Sequence, residues 1–250
     1  MAPSQNTTPS AVADHNQLLA QLPPDARARI DSRLTKVDLQ LGDVIYEAGQ
    51  APEYVYFPVD SIISLLYVMS DGASVEIAVV GYEGVVGIAV FMGGDSTPSR
   101  AVVQSAGSAY RLPAATLKEA FSQYPDIRMV MLRYTQALIT QMSQTAVCNR
   151  HHTIEQQLCR WLLLSMDRLP TNELAMTQEL IANMLGVRRE GVTEAAGKLQ
   201  RQGVIHYTRG HIRVLDRGAL EQLCCECYAA VRTETDRLQS FTPPPGSSGG

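Results

Sequence analysis

The sequence predicts an α+β chain: an N-terminal antiparallel β-roll of jelly-roll type, a long helix, and a C-terminal winged helix-turn-helix. Three observations carry this prediction. Between about Lys36 and Leu112, β-branched and aromatic stretches are punctuated by Gly, Pro and Asp, the pattern of short strands and tight turns. After Pro113 the apolar spacing lengthens to that of helices. From Thr177 to Asp216, "TQELIANMLGVRREGVTEAAGKLQRQGVIHYTRGHIRVLD" gives two amphipathic stretches, a Gly turn and a hairpin. With 250 residues, 45% of them apolar, the chain can build two small domains with separate cores. The units are placed at 15–124, 125–150 and 151–230.

In chain order, residues 1–14 are rich in Ser, Thr, Pro, Asn and Ala and are expected to be mobile, as is the tail "FTPPPGSSGG". "HNQLLAQLPPDARARIDSRL" reads as two short helices broken at Pro23-Pro24. "VIYEAG", "VYFPVDSIISLLYVM", "SVEIAVVG" and "AVVQSAGSAYRL" are strands, and Asp71-Gly72 marks a hairpin. The glycines of "GYEGVVG" miss the G-x-G-x-x-G spacing and read as jelly-roll corners. "PAATLKEAFSQY" is a short helix, and Pro125 suits the first turn of the next. There Ile127, Met131, Tyr134 and Leu138 recur at heptad-like spacing, and the helix runs on through Met142 to about Asn149. At 1.5 Å per residue it is about 36 Å long. Two partners suit its stripe: a second copy of the chain, forming a dimer seam, or the chain's own β domain. "TIEQQLCRWLLLSMDRL" is a further amphipathic helix, ended by "PTNE".

The net charge of −4 is unevenly spread. Residues 1–115 hold 6 basic and 12 acidic side chains, whereas 177–217 hold 7 basic and 4 acidic. An anionic partner is therefore expected at the later segment alone. Apolar runs fall short of the roughly 18 residues that span a bilayer, and the first residues lack the pattern of a secretory signal, so no membrane partner and a cytoplasmic location are expected. The five cysteines, Cys148, Cys159, Cys224, Cys225 and Cys227, are odd in number and do not suit a disulfide framework. Cys224 and Cys227 make one C-x-x-C with no second pair at zinc-ribbon spacing. These thiols read as separate, His151-His152 as a polar hinge, and no metal site is expected. No histidine lies between Lys36 and Leu112 to hold a haem. No P-loop, metal-binding pair or Ser-His-Asp grouping suggests an enzyme.

The quoted stretch carries the chemistry. Thr177 caps the first helix, with Gln178 beside it, and Gly186 supplies the turn. The second helix starts near Arg188 and turns Val192, Ala195, Ala196 and Leu199 inward. Arg188, Arg189, Glu190, Thr193 and Glu194 face outward in its first turns. A helix fits the major groove, an Arg fork matches guanine O6 and N7, and Glu accepts from cytosine N4. Arg201, Arg209 at the hairpin tip and Arg213 are spaced to meet phosphates, which fix register without carrying sequence information.

This order of parts resembles the Crp/Fnr family of bacterial transcription regulators over about Gln17 to Tyr228, most closely in "TQELIANMLGVRREGV", where G-x-x-R-E-x-V matches the start of the family's recognition helix. The resemblance implies Arg189 and Glu190 as the base-reading pair, with Thr193 and Glu194 on two further DNA-contacting positions. Relatives commonly have Arg where Glu194 stands, which implies an operator altered at one or two base pairs. It also implies a homodimer on double-stranded, near-palindromic DNA, with RNA polymerase as a partner. In the family's cyclic-nucleotide-binding β-roll a Gly-Glu-Leu stretch holds the ribose and an Arg neutralises the phosphate. Here Gly87 fits the Gly, Ile88 replaces the Glu and Ala89 the Leu, while Arg100 lies beside Ala101, one place off the usual spacing. A one-residue shift turns a strand side chain to the other face. Ser143 falls where relatives touch the purine. The expected sensor has an altered or lost cyclic-nucleotide site, no cofactor and an unidentified small-molecule effector. A true cyclic-nucleotide-responsive regulator, and a signalling module whose winged helix binds protein, are the alternatives. The family's iron–sulfur sensors need an N-terminal cysteine cluster, and the first Cys here is Cys148.

Overall fold

Alternate side chains of seven short strands share one interior and so close the β-roll. The computed structural model describes residues 16–240; the expected mobile ends lie outside the described residues. Helices α1 (Gln17–Ala20) and α2 (Pro24–Asp31) are divided at the Pro pair as read, with Pro23 as the N-cap and Pro24 as the first residue of α2. The strands are β1 (Thr35–Leu39), β2 (Val44–Tyr46), β3 (Tyr54–Pro58), β4 (Ile62–Val68), β5 (Ser74–Val80), β6 (Arg100–Ser105) and β7 (Gly107–Pro113), with a short helix α3 (Ala89–Met92) before β6. They form two antiparallel sheets, ordered β1-β7-β3 and β2-β6-β4-β5. Val55, Phe57, Ile63, Leu65, Ala78, Val80, Ala101, Val103 and Leu112 fill the space between them. The β4–β5 connection turns where expected: Gly72 has φ 87°, and the Ala73 N–H donates to Asp71 Oδ1 at 2.9 Å.

Helix α4 (Ala114–Gln123) leads into α5 (Pro125–His151), whose 27 residues match the predicted long helix. Of the two partners open to its stripe, the structure chooses the chain's own β domain. Ile127, Met131, Tyr134 and Leu138 are 0–4% exposed and belong to the roll's core. They cannot form a dimer seam, because their apolar surface is already spent inside the monomer. Met142, half-buried, faces the roll too. The exposed face of α5 carries Met129, Leu132, Ile139 and Val147, each 46–49% accessible.

The C-terminal unit consists of α6 (Ile154–Met166), β8 (Glu173–Ala175), α7 (Gln178–Leu185), α8 (Arg189–Arg201), β9 (Ile205–Thr208), β10 (His211–Val214), α9 (Arg217–Leu223) and α10 (Glu226–Gln239). Thr153 and Gln156 start α6 with a reciprocal capping box. The expected hairpin is the edge of a three-stranded sheet, β8-β10-β9. Strand β8 is only 3 residues long, too short to show alternation. A second core of Leu158, Trp161, Leu162, Ile181, Leu185, Val192, Leu199 and Ile212 underlies it.

The two cores meet. Leu66 of β4 belongs to the second one, and a Cβ placed on Gly186 would lie 3.1 Å from Val75 of β5. The "GYEGVVG" glycines do more than turn corners. Gly81 backs onto the Arg168 stem, where a Cβ would come within 2.7 Å, and Gly84 lies against the Tyr134 ring with no room for one. Helix α10 returns onto α5, and Arg133 Nε donates to the Leu238 carbonyl at 2.9 Å.

Candidate nucleic-acid interface and sensor pocket

The helix-turn-helix is built by local chemistry. The Leu180 N–H donates to Thr177 Oγ1 at 3.2 Å and caps α7. Gly186, at φ 65°, ends α7 in the left-handed region, which an L side chain enters only at a cost. Arg188 is then the N-cap of α8. Val192, Ala195, Ala196 and Leu199 are buried as predicted, so the opposite face of α8 is outward. Arg188, Arg189, Glu190, Thr193 and Glu194 are at or near the start of that helix; all but Arg188 sit within it. Thr193 Oγ1 lies 2.7 Å from Gln178 Oε1, which ties the two helices together beside the outward turn.

The cations differ in how free they are. Arg189 stands 3.9 Å from Glu179, both largely exposed, a geometry of little energetic consequence. Arg188, Arg201 and Arg209 have no ion-pair partner among the described residues. Arg213 is engaged: it pairs with Glu173 across β10 and β8. That carboxylate offsets part of the charge a phosphate would meet there, while the other terminal nitrogen of the half-exposed guanidinium keeps its donors. Arg209 sits at the hairpin tip with φ 42°, followed by Gly210 at φ 85°.

In the β-roll a cavity of about 330 Å³ opens between the strands, the α3 segment and α5. Tyr46, Leu65, Tyr67, Ile77, Ile88, Ala89, Met92 and Met142 line it, with the Gly94 and Ser96–Ser99 turn as its polar edge. No lining side chain carries a charge. Ile88 and Ala89 line the cavity. Arg100 and Ser143 do not, and are corrected as pocket residues. Ala101 and Val103 of β6 point into the roll's core while Val102 packs on the second core. Alternation puts Arg100 on Val102's face, where it pairs with Glu47 at 3.1 Å. Ala101 itself is fully buried in the core and does not line the cavity, although its strand partners Tyr46 and Leu65 do. Ser143 is exposed on α5. Gly87, at φ 106°, shapes the chain just before Ile88 but does not line the cavity.

A buried polar seam joins the roll to α6. Ser64 Oγ lies 2.5 Å from Glu76 Oε2 and 2.7 Å from Gln104 Oε1, and the Gln104 amide donates to Ser165 Oγ at 3.0 Å. Burial pushes the Glu76 carboxyl up from its ordinary value of 4.5 to about 7, against the opposing pull of Ser64, Arg160 and Arg168. The single Ser64 proton cannot serve both neighbours; with it on Gln104, a protonated Glu76 closes the chain by donating to Ser64.

Residues that the sequence separates also meet. Cys148 and His152 at the end of α5 lie with Cys225 and Cys227 at the start of α10, their ligand atoms all within 4.8 Å of one another. The reading of dispersed thiols and a histidine hinge is thereby corrected. Cys224 is half-buried outside that group, and Cys159 lies in the second core. The C-x-x-C pair drew attention to the wrong partner for Cys227. The usable signal was the helical i, i+4 spacing of Cys148 and His152.

A roll with an internal pocket, joined by a long helix to an outward-facing recognition helix and wing, defines a two-domain helix-turn-helix regulator. The comparisons agree. The Crp-like helix-turn-helix domain matches residues 156–223, and the cyclic nucleotide-binding domain matches 36–124. The chain belongs to the Crp/Fnr family of transcription regulators. It is 23% identical over 221 residues to the global nitrogen regulator of Synechococcus elongatus, covering 84% of this chain and 98% of that protein. The solved structure of FixK2 from Bradyrhizobium japonicum superposes with a TM-score of 0.64 at 21% identity, covering 77% of this chain and 98% of that one. A CRP-family transcriptional regulator from Thermus thermophilus gives 0.64 at 16% identity, covering 75% and 95%. Among the described residues no helix is long and apolar enough to cross a membrane.

Proposed function

We propose that the protein acts in the cytoplasm as a homodimer that binds a near-palindromic DNA operator and governs transcription by RNA polymerase, without catalysis of its own. The observation that carries this is the exposed first turn of α8. Arg189 and Glu190 stand outward there beside the unpaired Arg188, on a helix whose other face is buried. Two copies would meet along the exposed apolar face of α5, where Met129, Leu132, Ile139 and Val147 alternate with Gln136 and Ser143 at helical spacing. The two recognition helices would then address half-sites about one helical turn apart.

Titration of operator and scrambled duplexes at several salt concentrations tests the reading. Arg189→Ala is expected to cost about 1–3 kcal/mol per half-site on the operator and to leave non-specific binding nearly intact. Arg209→Ala is expected to weaken all duplexes alike and to reduce the salt slope by about one unit for each phosphate it ceases to neutralise. Equal weakening of both duplexes by Arg189→Ala makes Arg189 a phosphate anchor and removes the assigned reading head. Binding that ignores salt favours a protein partner instead.

The sensor is read as a pocket for a small uncharged molecule, not a cyclic nucleotide. Its walls hold no cation to meet a phosphate, and Arg100 lies on the other face of β6. Calorimetry with cyclic AMP, cyclic GMP and cyclic di-GMP is expected to show no tight binding. Micromolar affinity that disappears in Arg100→Ala would overturn this.

A further inference from the structure

We propose that Cys148, His152, Cys225 and Cys227 form a tetrahedral Zn2+ site that staples the C-terminal helix α10 to the end of α5. This goes beyond the DNA-binding reading and does not depend on it. Two helix ends create the site. Cys148 and His152 are one turn apart in the last turn and C-cap of α5. Cys225 is the N-cap of α10, and Cys227 follows within its first turn. Cys148 Sγ lies 3.6 Å from Cys225 Sγ, and Cys227 Sγ lies 3.6 Å from His152 Nδ1.

Those separations suit one mononuclear ion. With Zn–S near 2.3 Å and Zn–N near 2.0–2.1 Å, the edges of a tetrahedron are about 3.5–3.8 Å. Two edges have that length already, and the others lie within 4.8 Å. A disulfide would need sulfurs about 2.05 Å apart, and all five cysteines are free. An iron–sulfur cluster would divide the four ligands among two or four irons, and ligands on different irons lie farther apart than the 4.8 Å that encloses all four here.

The surroundings favour the same occupant. Cys148, Cys225 and Cys227 are 0%, 6% and 1% exposed, yet form a small group distinct from both hydrophobic cores. His152 Nδ1 faces the thiols while its Nε2 lies 3.4 Å from Glu226 Oε2. A ligating histidine commonly donates its other ring N–H to such a carboxylate, to a backbone carbonyl or to water, which fixes the ring and the tautomer. Three soft sulfurs and an imidazole do not suit Ca2+ or Mg2+, which take oxygen ligands. Four protein ligands leave no open position, which marks a structural site and not a catalytic one. Entry of Zn2+ displaces the thiol protons to solvent, up to three per ion, while neutral His152 coordinates through its lone pair. The staple closes over the α5–α6 junction, where the sensor domain hands over to the DNA-binding unit.

Elemental analysis of the full chain, purified under reducing conditions, is expected to find one zinc per chain. After chelation, Co2+ added to the wild-type chain should give the intense visible bands of tetrahedral cobalt with thiolate charge transfer, and Zn2+ should displace it. Cys148→Ser and Cys227→Ser should weaken Zn2+ binding on the order of 100-fold or more and remove the bands, and Glu226→Gln should weaken it roughly tenfold. Cys224→Ser should leave stoichiometry and spectrum unchanged. A wild-type chain that takes up no Co2+, or holds it with an octahedral, thiolate-free spectrum, overturns the proposal whether or not the variants fold. So do undiminished binding by Cys227→Ser and a Cys148–Cys225 disulfide in freshly purified reduced protein.

Discussion

Arg209 shows how a single backbone angle can point to function. Its φ of 42° precedes Gly210 at 85°, the mirror-image two-residue turn that Asn-Gly favours. An Arg held there costs on the order of 1 kcal/mol, and no ion pair among the described residues compensates. Arg209→Asn should therefore raise the stability of the wing by up to about 1 kcal/mol while weakening binding to every duplex. Urea unfolding and salt titration read the two effects, and a loss in the first would show that the Arg side chain packs. The position was legible from "TRGH"; the strain was not, because a dihedral leaves no mark in composition. Glu76 was hidden for a different reason. Strict alternation would place it with Ala78 and Val80 inside the roll, but the register slips between Leu65 and Leu66, so Glu76 pairs with Leu66 and faces α6. With its folded value near 7 against 4.5 outside the fold, the folded state prefers the proton. Its stabilising share is complete below about pH 4.5, falls as pH rises, and is gone above about pH 7, a swing on the order of 3 kcal/mol. Glu76→Gln should be more stable than wild type near pH 8 and flatten the dependence between about pH 5 and 8. Denaturant midpoints at the two pH values measure this, and an unchanged slope would mean that Glu76 does not titrate there.

Helix α5 was legible in extent but not in orientation. Its 3.6-residue period is satisfied twice, once by Ile127, Met131, Tyr134 and Leu138 and once by Met129, Leu132 and Ile139, and a sequence does not say which stripe faces its own sheet. The structure buries the first stripe, and Gly84 confirms how tightly: the Tyr134 ring occupies the place of a Cβ. The two faces should respond differently to substitution. Leu138→Ala opens a cavity in the roll's core and should cost about 2–5 kcal/mol of stability. Ile139→Glu should leave the fold near its wild-type stability and place charge in the proposed contact between copies, giving monomers that no longer hold a full operator. Light scattering on both variants separates the cases; a dimer that survives Ile139→Glu puts the seam elsewhere. The Cys148–His152 pair lay in the same helix, yet its partners arrive 77 residues after Cys148, beyond the reach of any local motif.

At the scale of the whole molecule, the two domains could be read from the change of period at Pro113 and from the helix-turn-helix motif, whereas their docking could not. It rests on pairs that neither domain needs alone. Arg168, just after α6, donates from Nε to Glu83 Oε1 in the roll at 2.7 Å and from a terminal nitrogen to the Leu164 carbonyl at 2.6 Å. Both side chains are nearly buried, 7% and 12% exposed, and Gly81 leaves space for the Arg168 stem where any larger residue would collide. A buried pair contributes little net stability, because desolvation of two charges offsets their attraction, but removal of one partner strands the other and costs about 3–5 kcal/mol. Glu83→Ala should therefore loosen the contact between the domains rather than either core. The single tryptophan, Trp161, lies in the second core with its indole against Glu76 of β5, so it reports on that unit and on its contact with the roll. In wild type its fluorescence and the far-ultraviolet signal should change together in urea, as one cooperative unit. In Glu83→Ala the two transitions should separate, and the double variant Glu83→Met with Arg168→Met should bring them back together by replacing an orphaned charge with apolar contact. Coincident transitions in Glu83→Ala, with a destabilisation under about 1 kcal/mol, would mean that the Leu66 and Val75 contacts hold the domains together without the ion pair.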